Sequence, residues 1–515
     1  MATRSAGVLI PLFSLRTRES LGRGEILDLA PMIDLALAMG CTMIQLLPLD
    51  ETSAIEQSPY SALSVNAIDP MYISIRDLDG VGRVVLARAR VAVGMARIVA
   101  RSTVRREKLA LLERSYRATR AQNAVKSADL DAFVAANSYW LDDYALFRAL
   151  QEKFDASWQA WPAELIRRDP DALAAARREL ADSIAMYRYW QFVAHRQWSA
   201  MRAYAASRGV RIGGDLAFSP CADSAEVWAN QNDFDLTRSV GAPPDDFNPN
   251  GQRWGLPMPN WERMRGNGYK LMRARVRHAS SLYDLIRIDH VVGLYRTFNF
   301  GADPDEPGIF TPANEEQEKI QGEEIIRHIK EEAGAAELIA EDLGTVPPWV
   351  RKSLASLGVP GYKVMQWERL NWGRPDEAFV NPATYPELSL ATTGTHDTES
   401  LTTWWREQPV EIREKLVRAL GISAQVNPVR MLDESARDAI LTALCAAPSR
   451  LAIIPIQDLF GWSARINRPG TVNESNWTYR LPMTLERLRR SRAIKSRVAK
   501  LREIAIRTGR FNAIE

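Results

Sequence analysis

The chain has 515 residues, of which 46% are hydrophobic and 25% are charged, and its net charge is +3. This balance is typical of a globular protein with a large core and excludes a globally disordered chain. The small net charge does not favour a dedicated nucleic-acid binder, and no apolar stretch approaches the ~18 residues that a membrane helix needs. Length alone suggests about three domains, although barrels of parallel strands run past ~250 residues as one unit.

The first apolar segment, residues 6–15, follows Arg4 as the core of a signal peptide would. Charged residues come after it in place of a small-residue cleavage site, so we expect a buried strand and a cytoplasmic protein. The cysteines Cys41, Cys221 and Cys445 are far apart and offer neither a disulfide framework nor zinc-ligand spacing. We expect three buried thiols in a reducing compartment.

Eight short hydrophobic runs with strand composition recur along the chain and end in polar or glycine-containing segments. They are Gly7–Leu12, Thr42–Leu47, Val210–Leu216, Leu285–Asp289, Glu337–Glu341, Tyr362–Trp367, Leu388–Thr393 and Leu451–Gln457. Most are continuous runs, which is typical of strands buried on both faces of a parallel sheet. Helical patterns lie between them, so the sequence predicts an α/β protein with a closed (β/α)8 TIM barrel. A large doubly wound sheet is the alternative, because a strand count does not establish closure.

The helix after the fifth run carries clear boundary signals. Thr345 is predicted as its N-cap, Pro347 and Pro348 as its start, and Gly358 follows its end.

The spacing of the runs is uneven, because residues 48–209 separate the second from the third. A single crossover helix needs far less chain. We predict that residues 75–205 form a mostly helical subdomain inserted between strands 2 and 3, and that residues 1–74 and 206–515 form the barrel. The stretch 217–275 is rich in Pro, Asn, Gly and Trp and is predicted to be an irregular, lid-like loop region after strand 3.

Two basic stretches, 83–106 and 485–510, also carry apolar residues at helical spacing. We interpret them as solvated helix faces and predict no nucleic-acid partner and no membrane partner.

In barrels of this type the active site lies at the C-terminal ends of the strands. Carboxylates and histidines end or follow five of the runs: Asp215, Asp289, Glu341, His396, Asp397 and Asp458. Each carboxylate alone is more typical of a helix N-cap. Together they would raise one another's cost of ionisation, which indicates a functional arrangement.

The neighbours of two carboxylates suggest different charge states. Arg287 lies two residues before Asp289, so both side chains point the same way on a strand. A guanidinium there would keep Asp289 ionised, as a nucleophile requires. Glu341 follows the apolar residues 338–340, and such surroundings favour a protonated general acid.

Two chemistries use such a barrel mouth. Retaining glycosyl transfer needs two carboxyl groups roughly 5–5.5 Å apart, whereas metal-dependent hydrolysis needs His and Asp ligands. A metal site would want histidines on the first strand, and residues 7–15 contain none. A metal site is therefore disfavoured, and we interpret His290 and His396 as donors to substrate hydroxyls or to a developing charge.

Tryptophan is unusually frequent, with fifteen residues. Eight fall on or near segments that follow strands: Trp228, Trp254, Trp261, Trp367, Trp372, Trp404, Trp405 and Trp477. Indole faces stack on the C–H faces of sugars, although we expect about half of these residues to serve packing alone.

A series of ordered motifs identifies a resemblance. They include Gln45-Leu-Leu-Pro-Leu, Ser58-Pro-Tyr-Ser, Gly214-Asp-Leu, Gly251-Gln-Arg-Trp-Gly, Arg287-Ile-Asp-His, Ala340-Glu-Asp-Leu-Gly, Gly394-Thr-His-Asp and Arg465-Ile-Asn-Arg-Pro-Gly-Thr. Over nearly its whole length the chain resembles the 4-alpha-glucanotransferases of the amylomaltase (disproportionating enzyme) type, glycoside hydrolase family 77. The resemblance implies that Asp289 is the nucleophile of a covalent glucosyl-enzyme, that Glu341 is the acid/base, and that Asp397 is a third carboxylate that binds ring hydroxyls.

The resemblance also implies a set of substrate-binding residues. They are Ser58, Tyr60, Asp215, Asp245, Gln252, Trp254, Arg287, His290, His396 and Asn467. Tyr60 matches a tyrosine near the acceptor side, and Asp245 and Gln252 lie in what resembles the family's active-site loop, residues 241–255. We expect that loop to exclude water from the intermediate.

The function that the resemblance implies is transfer of α-1,4-glucan segments among maltooligosaccharides or starch- and glycogen-type chains. We expect this reaction to need no metal and no organic cofactor. One alternative is a retaining hydrolase on the same substrates. A catalytically silent glucan-binding protein is the other, although binding alone does not require all three carboxylates.

Overall fold

The core of the protein is a closed barrel of eight parallel strands. In the computed structural model the described residues are 4–53, 58–93, 101–121, 128–244, 251–303, 306–471 and 473–512. The barrel strands, in chain order, are β1 Ser5–Leu9, β2 Met43–Gln45, β3 Arg211–Leu216, β4 Leu285–Ile288, β5 Glu337–Ala340, β6 Gly361–Val364, β7 Ser389–Thr392 and β8 Leu451–Pro455. Each overlaps one predicted run, so the closed-barrel prediction is confirmed and the open-sheet alternative is excluded.

Closure is made by β1, which pairs in parallel with β8 on one side and with β2 on the other. Gly7 permits this double pairing. A Cβ atom at Gly7 would lie only 2.9 Å from the Met43 Cβ atom and 3.1 Å from the Ile453 Cγ1 atom. Helices cover the outside of the barrel, which explains why the strands read as continuous hydrophobic runs.

The remaining elements surround this barrel. The α-helices are Leu29–Ala38, Arg83–Val93, Arg101–Ala121, Ala128–Phe154, Ala163–Ile166, Pro170–Glu179, Ala181–Ser207, Ala225–Ala229, Trp261–Gly266, Lys270–Leu282, Val292–Tyr295, Glu315–Ala333, Pro348–Ser356, Leu401–Glu407, Val410–Ala419, Glu434–Cys445, Ile456–Phe460, Leu485–Arg490 and Arg492–Arg507. The strands outside the barrel are Asp50–Thr52, Ala62–Ile68, Phe234–Ala242, Gln252–Pro259, Thr297–Phe300, Ile309–Thr311, Arg369–Leu370 and Ala378–Phe379.

Between β2 and β3 the chain forms a short antiparallel hairpin, Asp50–Thr52 with Ala62–Ile68, and then mainly helices. The last of these, Ala181–Ser207, packs on Ala128–Phe154 and leads into β3. The division of the chain at residues 75 and 205 stays a prediction.

Strands occupy part of the stretch after β3 where the sequence suggested irregular structure. Phe234–Ala242 and Gln252–Pro259 pair antiparallel, and Thr297–Phe300 extends the same sheet. Register shifts between Asp235 and Ser239 and between Val240 and Gly241 interrupt the ladder. These interruptions break the two-residue hydrophobic alternation by which a strand is detected in sequence.

The helix after β5 begins later than predicted. It spans Pro348–Ser356, its N-cap is Pro347, and no side chain caps it, so the prediction of Thr345 as the cap is wrong. A proline at the first helical position has no N–H group to satisfy, which removes part of the need for a side-chain cap. Gly358 follows the helix with φ +69°, the left-handed conformation that favours glycine.

Cys41 and Cys445 are buried free thiols, whereas Cys221 is half-buried, so full burial of all three was a wrong expectation. Across the described ranges, no helix combines the length and the apolar composition that crossing a membrane requires.

An aromatic cluster joins the helices on one side of the barrel. His278 on helix Lys270–Leu282 lies 5.5 Å from the ring of His195 and 5.2 Å from that of Trp140, measured between centroids. Burial, together with the neighbouring His195, lowers the pKa of His278 from 6.5 to about 3. The folded protein therefore holds this imidazole neutral.

We predict that His278 makes the folded state less stable in mild acid. The unfolded chain binds a proton at His278 below its ordinary pKa of 6.5 and the folded chain does not, so stability falls as the pH drops from about 7 towards 3. Between pH 7.5 and pH 5 the loss is about 2 kcal/mol, measured by urea unfolding at both pH values. His278→Gln should remove this part of the pH dependence. The matched control is His328→Gln outside the cluster, and an unchanged pH dependence in His278→Gln would contradict the prediction.

Candidate active site

The predicted carboxylates meet at the C-terminal mouth of the barrel. Asp215 lies at the end of β3, Asp289 directly after β4 and Glu341 directly after β5. Because β3, β4 and β5 are neighbours in the barrel, the three side chains come from adjacent positions. Asp397 reaches the same mouth from the segment that follows β7.

Arg287 is the common partner of the first three carboxylates. Its Nη1 atom donates to both oxygens of Asp215 and to Asp289 Oδ1, each at 2.8 Å. Its Nη2 atom lies 4.0 Å from Glu341 Oε2. The Asp215 side chain is fully buried and that of Arg287 is 6% exposed. A buried carboxylate needs such a partner, and arginine supplies a charge that neutral pH does not remove.

Glu341 is held in place by two backbone amides. The N–H groups of His290 and Leu343 donate to its two carboxyl oxygens at 2.8 and 3.0 Å. Burial raises the pKa of Glu341 to about 7, the Arg287 guanidinium opposes the rise, and the charge of Asp289 adds to it. A carboxyl group with this pKa exchanges a proton readily near neutral pH, as an acid/base catalyst must.

The backbone of His290 is unusual. Its φ of 46° is in the left-handed region, and its amide donates to Glu341 from that conformation. Such a conformation costs on the order of 1–3 kcal/mol in a non-glycine residue and is often found at functional sites. The ring lies between Trp254 and Phe218, edge-on at 4.8 and 5.4 Å. Burial lowers the pKa of His290 to about 4, so its imidazole is neutral at physiological pH.

A chain of close polar contacts links Asp397 to Asp215. Asn467 Nδ2 donates to Asp397 Oδ1 at 2.7 Å, and His396 Nε2 lies 3.3 Å from Asp397 Oδ2. The same His396 nitrogen is 3.1 Å from Tyr60 Oη, which in turn donates to Asp215 Oδ2 at 2.8 Å. The third carboxylate therefore shares one polar network with the carboxylates around Arg287.

Tyr60 also belongs to an aromatic wall. Its ring stacks on His396 with centroids 5.4 Å apart and planes at 20°. Trp477 lies 5.8 Å from both rings. Ser58 accepts a hydrogen bond from the Tyr60 amide at 3.2 Å, so its described contact orients the tyrosine.

The other predicted residues are placed unequally. Gln252 and Trp254 lie together on Gln252–Pro259, with Trp254 Nε1 3.4 Å from Gln252 Oε1. Asp245 lies outside the described residues. Asp458 has a structural role, because it accepts hydrogen bonds from the Thr393 hydroxyl and from the Leu401 amide.

Arg465 was not among the predicted site residues. It donates to the backbone carbonyl of Asp397 and pairs with Glu399, and so holds the segment that carries the third carboxylate. The signal was present, since Arg465 opens the motif that contains Asn467.

The tryptophans divide as expected between packing and accessible positions. Five are buried, namely Trp228, Trp261, Trp404, Trp405 and Trp477, whereas Trp367 and Trp372 are 38% and 43% exposed. Trp254 is half-buried, and Trp477 lies between the site and a neighbouring cavity. Among the described residues, no group of three or more His, Cys, Asp or Glu is arranged to hold a metal ion.

Comparison with known proteins identifies a family. The profile of glycoside hydrolase family 77, 4-alpha-glucanotransferase, matches residues 10–485. The 4-alpha-glucanotransferase of Chlamydia trachomatis is 33% identical over 496 residues, 94% of this chain and 92% of that protein. The 4-alpha-glucanotransferase of Chlamydia pneumoniae is 31% identical over 499 residues, with the same coverage. The solved structure of the amylomaltase from Streptococcus agalactiae in complex with acarbose matches with a TM-score of 0.82 at 27% identity, covering 99% of this chain and all of that one.

We predict that Arg287→Ala destabilises the folded protein by about 3–5 kcal/mol, because it leaves the buried Asp215 carboxylate without its counter-charge. Adding Asp215→Asn should restore part of the loss, since the neutral amide needs no cation. Urea unfolding of the wild type, both single variants and the double variant measures this coupling. If the four proteins gave additive changes, the two side chains would not depend on each other.

Proposed function

Because the chain belongs to the 4-alpha-glucanotransferases, glycoside hydrolase family 77, we propose that it transfers α-1,4-glucan segments by a retaining double displacement. The donor is a maltooligosaccharide or a starch- or glycogen-type chain, and the acceptor is the 4-hydroxyl of another glucan or of glucose. The observation that carries the mechanism is the pairing of Asp289 with Arg287 beside a Glu341 carboxyl whose pKa is about 7.

In the first step Asp289 attacks the anomeric carbon of the donor, and the glycosidic bond breaks. Glu341 gives its proton to the departing oxygen, which leaves with the released part of the chain as a new 4-hydroxyl. Arg287 supports the ionised nucleophile before the attack. The product is a glucosyl ester of Asp289 and an ionised Glu341.

In the second step the acceptor replaces the leaving group. The Glu341 carboxylate takes the proton from the acceptor 4-hydroxyl, whose oxygen attacks the anomeric carbon and releases Asp289. Two inversions at the same carbon preserve the α-configuration. The two backbone amides on Glu341 keep its oxygens in one place for both proton transfers.

Asp397 is suited to the sugar that carries the developing positive charge. Its carboxylate is 33% exposed, so it is open to a ligand, while the hydrogen bond from Asn467 fixes its orientation and His396 lies beside it. A negative charge held in advance lowers the energy of an oxocarbenium-like transition state without further reorganisation.

Preference for a sugar over water requires the acceptor to be held against the ester. The stacked Tyr60, His396 and Trp477 rings offer one apolar wall, and Trp254 beside the neutral His290 offers another. Stacking there raises the local concentration of the acceptor and displaces water. The loop residues 245–250 that were expected to add to this exclusion lie outside the described residues.

Incubation of the pure protein with maltotriose tests the proposal. Transfer gives glucose together with oligomers longer than maltotriose, whereas hydrolysis gives glucose and maltose alone, and an inert binder gives no change. Asp289→Asn should lower turnover on the order of 10³-fold or more, because the amide cannot form the ester. Asp235→Asn, on a strand outside the site, is the matched control. Retained turnover in Asp289→Asn would remove that residue from its role.

The pKa of Glu341 sets a second prediction. The first step needs a protonated Glu341, so kcat/KM for maltotriose should fall about tenfold per pH unit above pH 7. His290 stays neutral above about pH 5 and should contribute no change in this range. Initial rates from pH 5 to 9 measure the profile. A kcat/KM that stayed constant from pH 6 to 9 would contradict the assignment of Glu341 as the acid.

A further inference from the structure

A second cavity, of about 340 Å³, lies next to the candidate active site. Its walls come from the start of helix Arg101–Ala121, from Thr52 and Ser53, and from the segment Trp477–Arg480. The volume is within the range of sites that enclose a small ligand. Trp477 separates the cavity from the aromatic wall of the active site, since its ring also contacts Tyr60 and His396.

The charged side chains that line this cavity are positive. Five of its lining residues are arginines, namely Arg23, Arg101, Arg105, Arg106 and Arg480. Among the described residues that line it there is no aspartate and no glutamate. Guanidinium groups keep their charge at neutral pH, so the cavity concentrates positive potential in a confined space.

Acidic side chains lie close to some of these arginines. Arg23 lies 3.6 Å from Asp69, and Arg106 lies 3.1 Å from Glu107. Arg105 is half-buried and has no ion pair with any described residue. Burial, with the nearby charge of Arg16, lowers the pKa of Arg480 to about 10, and the charge of Asp28 opposes this fall.

The cavity is also aromatic. Trp477, Tyr479 and Phe13 line it together with the arginines. Flat rings suit the C–H face of a sugar, whereas planar guanidinium groups suit the oxygens of a phosphomonoester. A neutral glucan carries no negative charge to pair with the arginines, and a free inorganic anion has no apolar face to pack on the aromatic rings.

We propose that this cavity is a binding site for a phosphorylated sugar. The phosphomonoester is held by the arginines around Arg105, and the sugar ring packs against Trp477, one indole away from the catalytic carboxylates. The assignment does not depend on the transfer mechanism, because binding is measured without turnover.

Calorimetric titration of the full chain with glucose 6-phosphate, glucose and inorganic phosphate tests the two parts of the proposal. Glucose 6-phosphate should bind at least about 10-fold more tightly than either of the others, and its affinity should fall as salt rises. Equal affinity for glucose would overturn the role of the arginines. Equal affinity for inorganic phosphate would overturn the assignment to a sugar.

Variants on one helix locate the site. Arg105→Ala should weaken glucose 6-phosphate about 10-fold and Arg105→Glu should weaken it further, with thermal unfolding as the check on folding. The matched control, Arg117→Ala, lies on the same helix with a 74% exposed side chain outside the cavity and should leave the affinity unchanged. Undiminished affinity in both Arg105 variants would place the ligand elsewhere, including the active site, and overturn the proposal. Maltotriose turnover by the wild type is recorded separately, so failure here does not bear on the proposed reaction.

Discussion

The candidate site depends on one buried cation. Arg287 contacts Asp215 and Asp289 directly and lies within 4.0 Å of Glu341. Three carboxylates at adjacent strand ends would otherwise repel one another in a medium that screens charge poorly. Because the guanidinium stays charged, it supplies both Asp215 and Asp289 with a counter-charge. The barrel supplies the rigidity, since Arg287 projects from β4 between two hydrogen-bonded neighbours.

Burial then assigns different proton states to groups that are close together. It raises the pKa of Glu341 to about 7 and lowers the pKa of His290 to about 4. Glu341 can therefore give and take a proton near neutral pH, whereas the His290 imidazole remains uncharged. The two residues are linked directly, because the His290 backbone N–H, in a left-handed conformation, donates a hydrogen bond to the Glu341 carboxyl group. The residues that follow β4 and β5 therefore set both the position and the proton state of these two groups.

The segments outside the barrel serve the site in a less direct way. Tyr60 comes from the turn before strand Ala62–Ile68, Trp254 from the sheet after β3, and Trp477 from the chain after β8. Together they surround the carboxylates with aromatic surface on two sides. Trp477 also forms part of the arginine-lined cavity, so a ligand there would rest against a residue of the aromatic wall.

The sequence by itself determined the barrel strands and the residues at their ends, because strands buried on both faces leave continuous hydrophobic runs and catalytic side chains follow them. It also indicated that Arg287 and Asp289 lie on one side of a strand, which is a local property of period two. The sequence did not reveal the strand pair with register shifts, because the shifts interrupt the hydrophobic alternation. Nor did it reveal the N-cap of helix Pro348–Ser356, because that cap makes no side-chain hydrogen bond. Only the tertiary structure decided that Arg287 lies opposite Asp215 in the β3–β4 register, that Glu341 is buried enough to titrate near pH 7, and that arginines distant in the chain share one cavity. Those facts depend on register, burial and through-space distance, which arise when separate segments pack together.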